Sequence, residues 1–149
     1  MAATRYPLEA LLKSRTWELD ALKQQVRAAR EAVAEDEDAI ARLEDEIVQA
    51  EADLVRGSRD FIRIDMRRLI VLFVKDRRAR LAATREQLEA KREALAKLTD
   101  EMAQVRRSLR ALERHRERYL KTLDDRIEKN QEKAIEDTWL GGRRARSHG

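Results

Sequence analysis

An unbroken row of apolar residues recurs at every seventh position over the first third of the chain. Its members are Leu12, Leu19, Val26, Val33, Ile40, Ile47 and Leu54. A companion row, three residues further on, is interrupted by Arg15 and Asp36. A strict seven-residue period over this length is typical of a coiled-coil seam, whereas the apolar stripe of an ordinary surface helix drifts away from it. The sequence therefore predicts one long helix whose seam needs a partner helix.

A second heptad pattern supplies a partner within the same chain. Its rows are Leu81, Leu88, Leu95, Met102 and Leu109, with Thr84, Lys91, Leu98, Val105 and Leu112 beside them. Between the two patterns, Gly57-Ser58 is the only strong break before Gly141. We therefore predict an all-α fold, a long two-helix antiparallel coiled-coil hairpin with a short helical apolar tip. The single coiled-coil domain 1–149 then comprises helix 1 at about 7–56, a tip connector at about 57–80, helix 2 at about 81–140 and a basic tail at 141–149.

The charged positions beside the rows indicate how the helices pair. An antiparallel hairpin with an open tip gives three pairs of opposite charge, namely Glu51 with Arg85, Glu44 with Arg92 and Lys23 with Glu113. A tight hairpin at Gly57 would instead set Arg30 against Arg85. A parallel homodimer, the main alternative, would set Glu46 against Glu51 of the partner subunit. Each exposed pair contributes only about 0.2–1 kcal/mol, so the charges favour the open antiparallel hairpin by a small margin.

The composition argues against catalysis. Charged residues make up 42% of the chain, aromatic residues 4%, and there is no Cys. The absence of Cys excludes disulfides, a thiolate nucleophile and a thiolate metal site. There is no phosphate-binding glycine loop, and the four acids from Glu35 to Asp38 point around a helix rather than converging on a metal ion. We expect a protein that is not an enzyme and has no cofactor or metal.

The distribution of charge argues against nucleic acid as a partner. The net charge is only +4, with acidic residues in excess in the first helix and basic residues in excess afterwards, so the two halves suit each other. The basic cluster from Arg106 to Arg118 lacks interleaved aromatic residues, as a solvated helix surface does. We expect no signal peptide, because the opening residues lack a basic region followed by a long apolar run. The apolar run Leu69–Val74 is far shorter than the roughly 20 residues that span a bilayer. We expect a cytoplasmic location.

The tip is the segment in which a binding function is most plausible. Apolar residues there cover most of a helix circumference and alternate with arginines, so the end of a two-helix seam cannot bury all of them. One interpretation is a small local core that closes the hairpin; another is a docking surface for a partner protein or a second tip. A membrane-surface helix is a weaker third option, because the polar face is basic but narrow. The candidate docking residues are Phe61, Ile64, Arg67, Arg68, Leu72, Phe73, Lys75, Arg77 and Arg78.

Two stretches resemble a known family. The opening YPLEALLKSR at residues 6–15 runs into an Ala/Glu/Arg heptad helix, and the close IEDTWL lies at residues 135–140. Together with the two-helix plan and the absence of Cys, these resemble the flagellar export protein FliJ and its injectisome counterparts of the YscO type. The apolar tip departs from the flagellar protein, which favours the injectisome branch or a divergent member.

The resemblance implies a central stalk of a type III secretion ATPase, similar to the gamma subunit of rotary ATPases. Such a coiled coil enters the pore of the hexameric ATPase, promotes its activity and links it to the export gate, at the cytoplasmic face of the inner-membrane apparatus; some members also handle substrate chaperones. The tip would face the gate. The alternatives are a homodimeric structural scaffold and an export chaperone-escort protein without ATPase contact. The residues that the resemblance assigns to the ATPase pore are Leu8, Leu12, Trp17, Arg126, Trp139 and Leu140.

Overall fold

Two α-helices contain nearly all of the described chain. The computed structural model describes residues 5–60 and 63–147, except for the side chains of residues 59, 60 and 145–147. Helix α1 spans Glu9–Asp60 and helix α2 spans Ile64–Ser147. They pack against each other in opposite directions, so the predicted all-α antiparallel hairpin is confirmed.

The predicted heptad rows form the seam. Every member of the row from Leu12 to Leu54 is buried or half-buried, and so is every member of the row from Leu81 to Leu109. Their burial follows from the period, because a strict seven-residue repeat keeps the same side chains facing the neighbouring helix. At the start of α1, the Glu9 amide donates to the Tyr6 carbonyl (3.2 Å), and the Glu9 carboxylate lies in the first turn, where the helix dipole favours an acid.

The predicted stops at glycine are wrong. Helix α1 continues through Gly57 to Asp60, and α2 continues through Gly141 and Gly142 to Ser147. A helical glycine costs about 1 kcal/mol relative to alanine, which neighbouring turns can offset. Gly57 is buried in the seam, and the hydroxyl of Ser58 donates to the Leu54 carbonyl (3.1 Å) instead of capping a new helix.

The prediction of a separate tip connector at about residues 57–80 is also wrong. Residues 64–80 are the first turns of α2, and this helix passes without interruption into the predicted helix 2. No turn-forming residue lies in that stretch to end the helix. The helical character of the tip is thereby confirmed, while its boundaries are corrected. The predicted basic tail is likewise helical as far as Ser147.

The chain divides into two units, residues 21–102 and residues 1–20 with 103–149. In the unit of residues 21–102, a core of Ile47, Ala50, Val74 and Leu81 joins the two helices. Three partly buried side chains pack against this core, namely Ile40, Leu43 and Ile70. The predicted seam therefore extends at Val74 beyond Leu81 into the tip.

The pairing register differs from the prediction by one heptad. The observed ion pairs are Glu51 with Arg78, Glu44 with Arg85 (2.8 Å) and Glu37 with Arg92 (3.2 Å). Glu51 and Glu44 thus each meet the arginine one heptad before the predicted one, and Glu37 gains a partner that the prediction did not name. Because α2 presents arginine at several successive positions of this row, the surface charges fit both registers. Exposed pairs are also too weak to choose between the two registers.

An ion pair between a buried carboxylate and a half-exposed lysine crosses the seam in the same unit. Asp36 is only 9% exposed, and the Lys91 ammonium donates to its Oδ1 at 3.0 Å. A shift of one heptad towards the predicted register would place Leu98 where Lys91 now lies. The Asp36 carboxylate would then be buried without a cation, at a cost of about 1–3 kcal/mol. The polar pair therefore selects the observed register, as single polar residues do in other coiled-coil seams.

The unit of residues 1–20 and 103–149 is held by aromatic and charged contacts near the start of α1. Tyr6 is buried, and its ring lies 5.5 Å from the rings of both His115 and Tyr119. The Tyr6 hydroxyl and Nδ1 of His115 are hydrogen-bonded, and Glu9 forms an ion pair with Arg116 (3.1 Å). These contacts fix where α1 begins along α2.

Candidate functional site

The first turns of α2 expose a broad apolar and basic surface. We call this the tip surface and define it by Arg63, Ile64, Met66, Arg67, Arg68, Leu69, Val71, Leu72, Phe73 and Lys75. Ile64 is 71% exposed and Leu72 61% exposed. Of the predicted docking residues, Ile64, Arg67, Arg68, Leu72, Phe73 and Lys75 belong to this surface. Phe61 lies outside the described residues.

Two other predicted tip residues are used within the hairpin. The Arg77 guanidinium forms an ion pair with Glu46 (2.9 Å) and lies 4.7 Å from the centre of the Phe73 ring. Arg78 forms an ion pair with Glu51. These arginines therefore hold α2 against α1. The expected local core accounts for Ile70 and Val74, while most of the other apolar residues of the tip stay exposed.

A groove runs along one side of the tip between the helices. Its apolar lining is Ala50, Leu69, Ile70 and Phe73, and its polar lining is Asp45, Glu46, Gln49 and Asp53. The α1 side of this groove was not predicted from the sequence. Nor was the exposure of Val48 and Val55 on α1. Their spacing of one heptad, next to the seam row, is the signal that could have found them.

The second candidate surface is the C-terminal extension of α2, which we define as residues 124–144. Every residue in this range is exposed, including Ile135 and Trp139. The extension follows from the helix lengths, since α2 has 84 residues and α1 has 52. Shallow depressions flank Trp139 on both sides, one at Ile135 and one at Arg143, whose guanidinium lies 5.1 Å from the Trp139 ring. The extension thus presents an unpaired aromatic residue on a single helix.

The residues assigned to the ATPase pore do not form one cluster. Glu9, beside Leu8, pairs with Arg116. Trp139 lies 23 residues further along α2, which at 1.5 Å per residue is about 35 Å. Leu140 is on the extension with Trp139, whereas Leu12 is half-buried in the seam and Leu8 is exposed at its edge.

Trp17 and Arg126 complete the predicted pore set. Trp17 is 71% exposed on α1. Arg126 lines a depression on α2 with Tyr119 and Leu123. The structure therefore separates the predicted set into a group near the start of α1 and a group on the extension.

Tyr6 is the site residue whose structural role could not be recognised from the sequence, where it is only the first residue of the opening stretch. The hydrogen bond and ring contact between Tyr6 and His115 join the start of the chain to α2. The local sequence signal for this contact was an aromatic residue directly before Pro7.

The four consecutive acids of α1 diverge as predicted. Asp36 faces Lys91 in the seam, Glu37 faces Arg92, and Glu35 and Asp38 are exposed. In residues 5–60 and 63–147 no group of three His, Asp or Glu side chains is placed to hold a metal ion. Neither helix, over the same residues, has a stretch long and apolar enough to cross a membrane.

Comparison with protein-family models, with curated proteins and with solved structures gives no match. Support for a function therefore comes from the hairpin, its exposed surfaces and the resemblance to the FliJ/YscO type.

Proposed function

We propose that this chain is the central stalk of a type III secretion or flagellar export ATPase, of the FliJ/YscO type. In this role it is not an enzyme. It inserts into the hexameric ATPase and couples it to the export gate at the cytoplasmic face of the inner membrane. The observation that carries the proposal is the C-terminal extension, where Trp139 is 63% exposed on an unpaired helix. Large exposed aromatic side chains are the usual anchors of protein interfaces.

The extension suits a pore because its two sides differ. Ile135, Trp139 and Gly142 follow one another at helical spacing and share one face. Leu140 lies about 100° further round the helix, on the face that also carries Glu136 and Asp137. A ring of identical subunits around such a helix meets a different mixture of apolar and charged side chains on each side. Each subunit then experiences a different interaction energy, which is what biases its conformational equilibrium.

Because the predicted pore residues form two separate groups, we assign the two groups to different depths in the ATPase pore. Trp139 and Leu140 are assigned the deepest contacts, since they lie on the single helix. Leu8, Leu12 and Trp17 are assigned to the part of the unit nearer the start of α1. Arg126 lies on the extension, between that part and Trp139. The tip surface is assigned to the gate side of the apparatus.

The test is the rate of ATP hydrolysis by the cognate secretion ATPase with and without this chain. We expect the full-length protein to raise the rate several-fold. The double variant Trp139→Ala/Leu140→Ala should raise the concentration needed for half-maximal stimulation by at least about tenfold, since each buried anchor contributes roughly 1–2 kcal/mol or more. Leu72→Ala, an equally exposed apolar truncation in the tip, is the matched control and should stimulate like the unaltered chain. No stimulation by the unaltered protein would contradict the proposal.

A homodimeric scaffold is the second candidate, and the exposed apolar residues of the tip favour it. It predicts a mass of twice 17.4 kDa in light scattering and a melting temperature that rises with protein concentration. The stalk predicts a monomer. A chaperone-escort role without ATPase contact predicts chaperone binding in the absence of any stimulation.

A further inference from the structure

The exposed apolar residues of the tip surface surround α2 rather than forming a stripe. They are Ile64, Met66, Leu69, Val71, Leu72 and Phe73, and all six are more than a third exposed. At about 100° per residue, these six side chains span an arc of roughly 220°. Ile70 and Val74 point the other way, towards α1. The tip thus presents apolar side chains, with charged ones between them, on every side that α1 does not cover.

Such an arc is too wide for one partner helix. A docked helix covers a stripe of about 100°, so at least half of the six side chains would stay in water. A surrounding medium covers the whole arc at once, and the interfacial region of a lipid bilayer is such a medium. Insertion would be shallow, because neither helix, in the described residues, can span a membrane.

The charges of the tip surface identify the kind of lipid. Residues 63–75 contain four cationic side chains, Arg63, Arg67, Arg68 and Lys75, and one acid, Asp65. Arg67 donates to the neutral Ser58 hydroxyl (2.6 Å), so its positive charge is not neutralised by that contact. Among the described residues, no ion pair holds Arg63, Arg68 or Lys75. Long basic side chains next to apolar ones reach headgroups while their aliphatic stems stay in the apolar layer.

A second copy of the tip is a poorer occupant. Two tips brought together would place like charges from both α2 helices side by side. The acids that could offset them lie on the α1 side of the groove, where Glu46 is paired with Arg77 and Asp53 with Arg56, which leaves Asp45 against the four cations of a second tip. An anionic headgroup layer offers negative charge over the whole surface instead.

We propose that the tip surface binds the interfacial region of an anionic bilayer, with its apolar side chains inserted between headgroups and its arginines and Lys75 on lipid phosphates. This inference stands independently of the proposed stalk function, since its test contains no ATPase.

The experiment is co-sedimentation of the full-length protein with vesicles of phosphatidylglycerol and phosphatidylethanolamine, compared with vesicles of phosphatidylcholine. We expect at least about tenfold tighter binding to the anionic vesicles, because each of the four cations strengthens binding to an anionic surface about fivefold or less. Added salt should weaken this binding. Leu72→Asp and the pair Arg68→Glu/Lys75→Glu should each lower binding to anionic vesicles at least about tenfold. Because these side chains are exposed, the helical circular dichroism should not change.

Ile135→Asp is the matched control, because it places the same charge on an equally exposed apolar position of the C-terminal extension. It should bind anionic vesicles like the unaltered chain. Equal binding to both vesicle types would overturn the proposal, and so would an equal loss in Leu72→Asp and Ile135→Asp. If Leu72→Asp instead abolishes a lipid-free dimer seen by light scattering, the occupant is a second copy and the membrane proposal is wrong.

Discussion

Part of helix α2 packs against α1 and part of it is exposed to solvent on all sides. Comparing the two parts shows how much packing against α1 contributes to the stability of the helix. In the unit of residues 21–102 it buries Val74, Leu81, Leu88 and Met102 at regular intervals against α1. In the other unit, residues 124–144 bury nothing, although they form the same kind of helix from a similar mixture of residues. Helix formation in the extension therefore depends on local propensity, whereas in the seam it is reinforced by tertiary packing.

The buried apolar residues of the seam and the exposed ones of the extension have different roles, the first in folding and the second in binding. Apolar side chains in the seam stabilise the fold, because each is removed from water by the partner helix. Ile135 and Trp139 in the extension, like Leu72 at the tip, contribute little to folding in the isolated chain. Exposed apolar residues of this size gain a favourable interaction only when a partner covers them. The comparison leads to three predictions about stability, from the largest effect to the smallest.

The largest effect comes from matched truncations in the two regions. Leu81→Ala should lower the free energy of unfolding by about 2–5 kcal/mol, because it opens a cavity in the core that joins the helices. Ile135→Ala should change it by less than about 0.5 kcal/mol. Urea unfolding followed by circular dichroism measures both. Similar losses in the two variants would show that the extension is packed in solution and would break the comparison.

Substitutions at the two members of the Asp36–Lys91 ion pair should have non-additive effects on the free energy of unfolding. Lys91→Leu alone should lower the free energy of unfolding by about 1–3 kcal/mol, because Asp36 keeps its burial and loses its cation. Adding Asp36→Leu should restore that loss or exceed it, since two apolar residues fit an apolar seam. The double variant should also populate a second register. A double variant that is less stable than Lys91→Leu would contradict this account.

The smallest effect is expected at the start of α1. Tyr6→Phe removes the hydrogen bond to His115 but keeps the ring contacts, so we expect a loss of about 0.5–1.5 kcal/mol. Tyr119→Phe is the matched control, because the Tyr119 ring packs on Tyr6 with no contact through its hydroxyl among the described residues. Thermal unfolding of the two variants measures the difference. Equal melting temperatures would assign the stabilisation to ring packing alone.

Much of the fold was predictable because a heptad period specifies which side of a helix is buried. The rows at Leu12 and Leu81 identified both helices, the seam and the antiparallel hairpin. The helix ends were not predictable from glycine alone, since Gly57 and Gly141 are tolerated inside helices at modest cost. The register was not predictable from exposed charges, because Glu44 finds an arginine at either position 85 or 92.

The candidate surfaces were predictable only in part. Apolar residues at the tip were recognisable by their number, and the exposure of Ile64 and Leu72 agrees with that expectation. The role of Asp36 was hidden, because a polar residue in a heptad row indicates an interruption without naming its partner. Its pairing with Lys91 depends on the register, which is a property of both helices together.

Cysteine cross-linking tests the intramolecular hairpin and its register most directly, since the chain has no native Cys. Glu44→Cys/Arg85→Cys replaces an observed ion pair, and Glu44→Cys/Arg92→Cys probes the register one heptad away. Leu43→Cys alone reports on a parallel dimer, in which equivalent seam positions of two chains face each other. Under mild oxidation we predict rapid cross-linking within a single chain for the first variant and little for the other two. Preferential cross-linking at position 92, or covalent dimers from the single cysteine, would contradict the account.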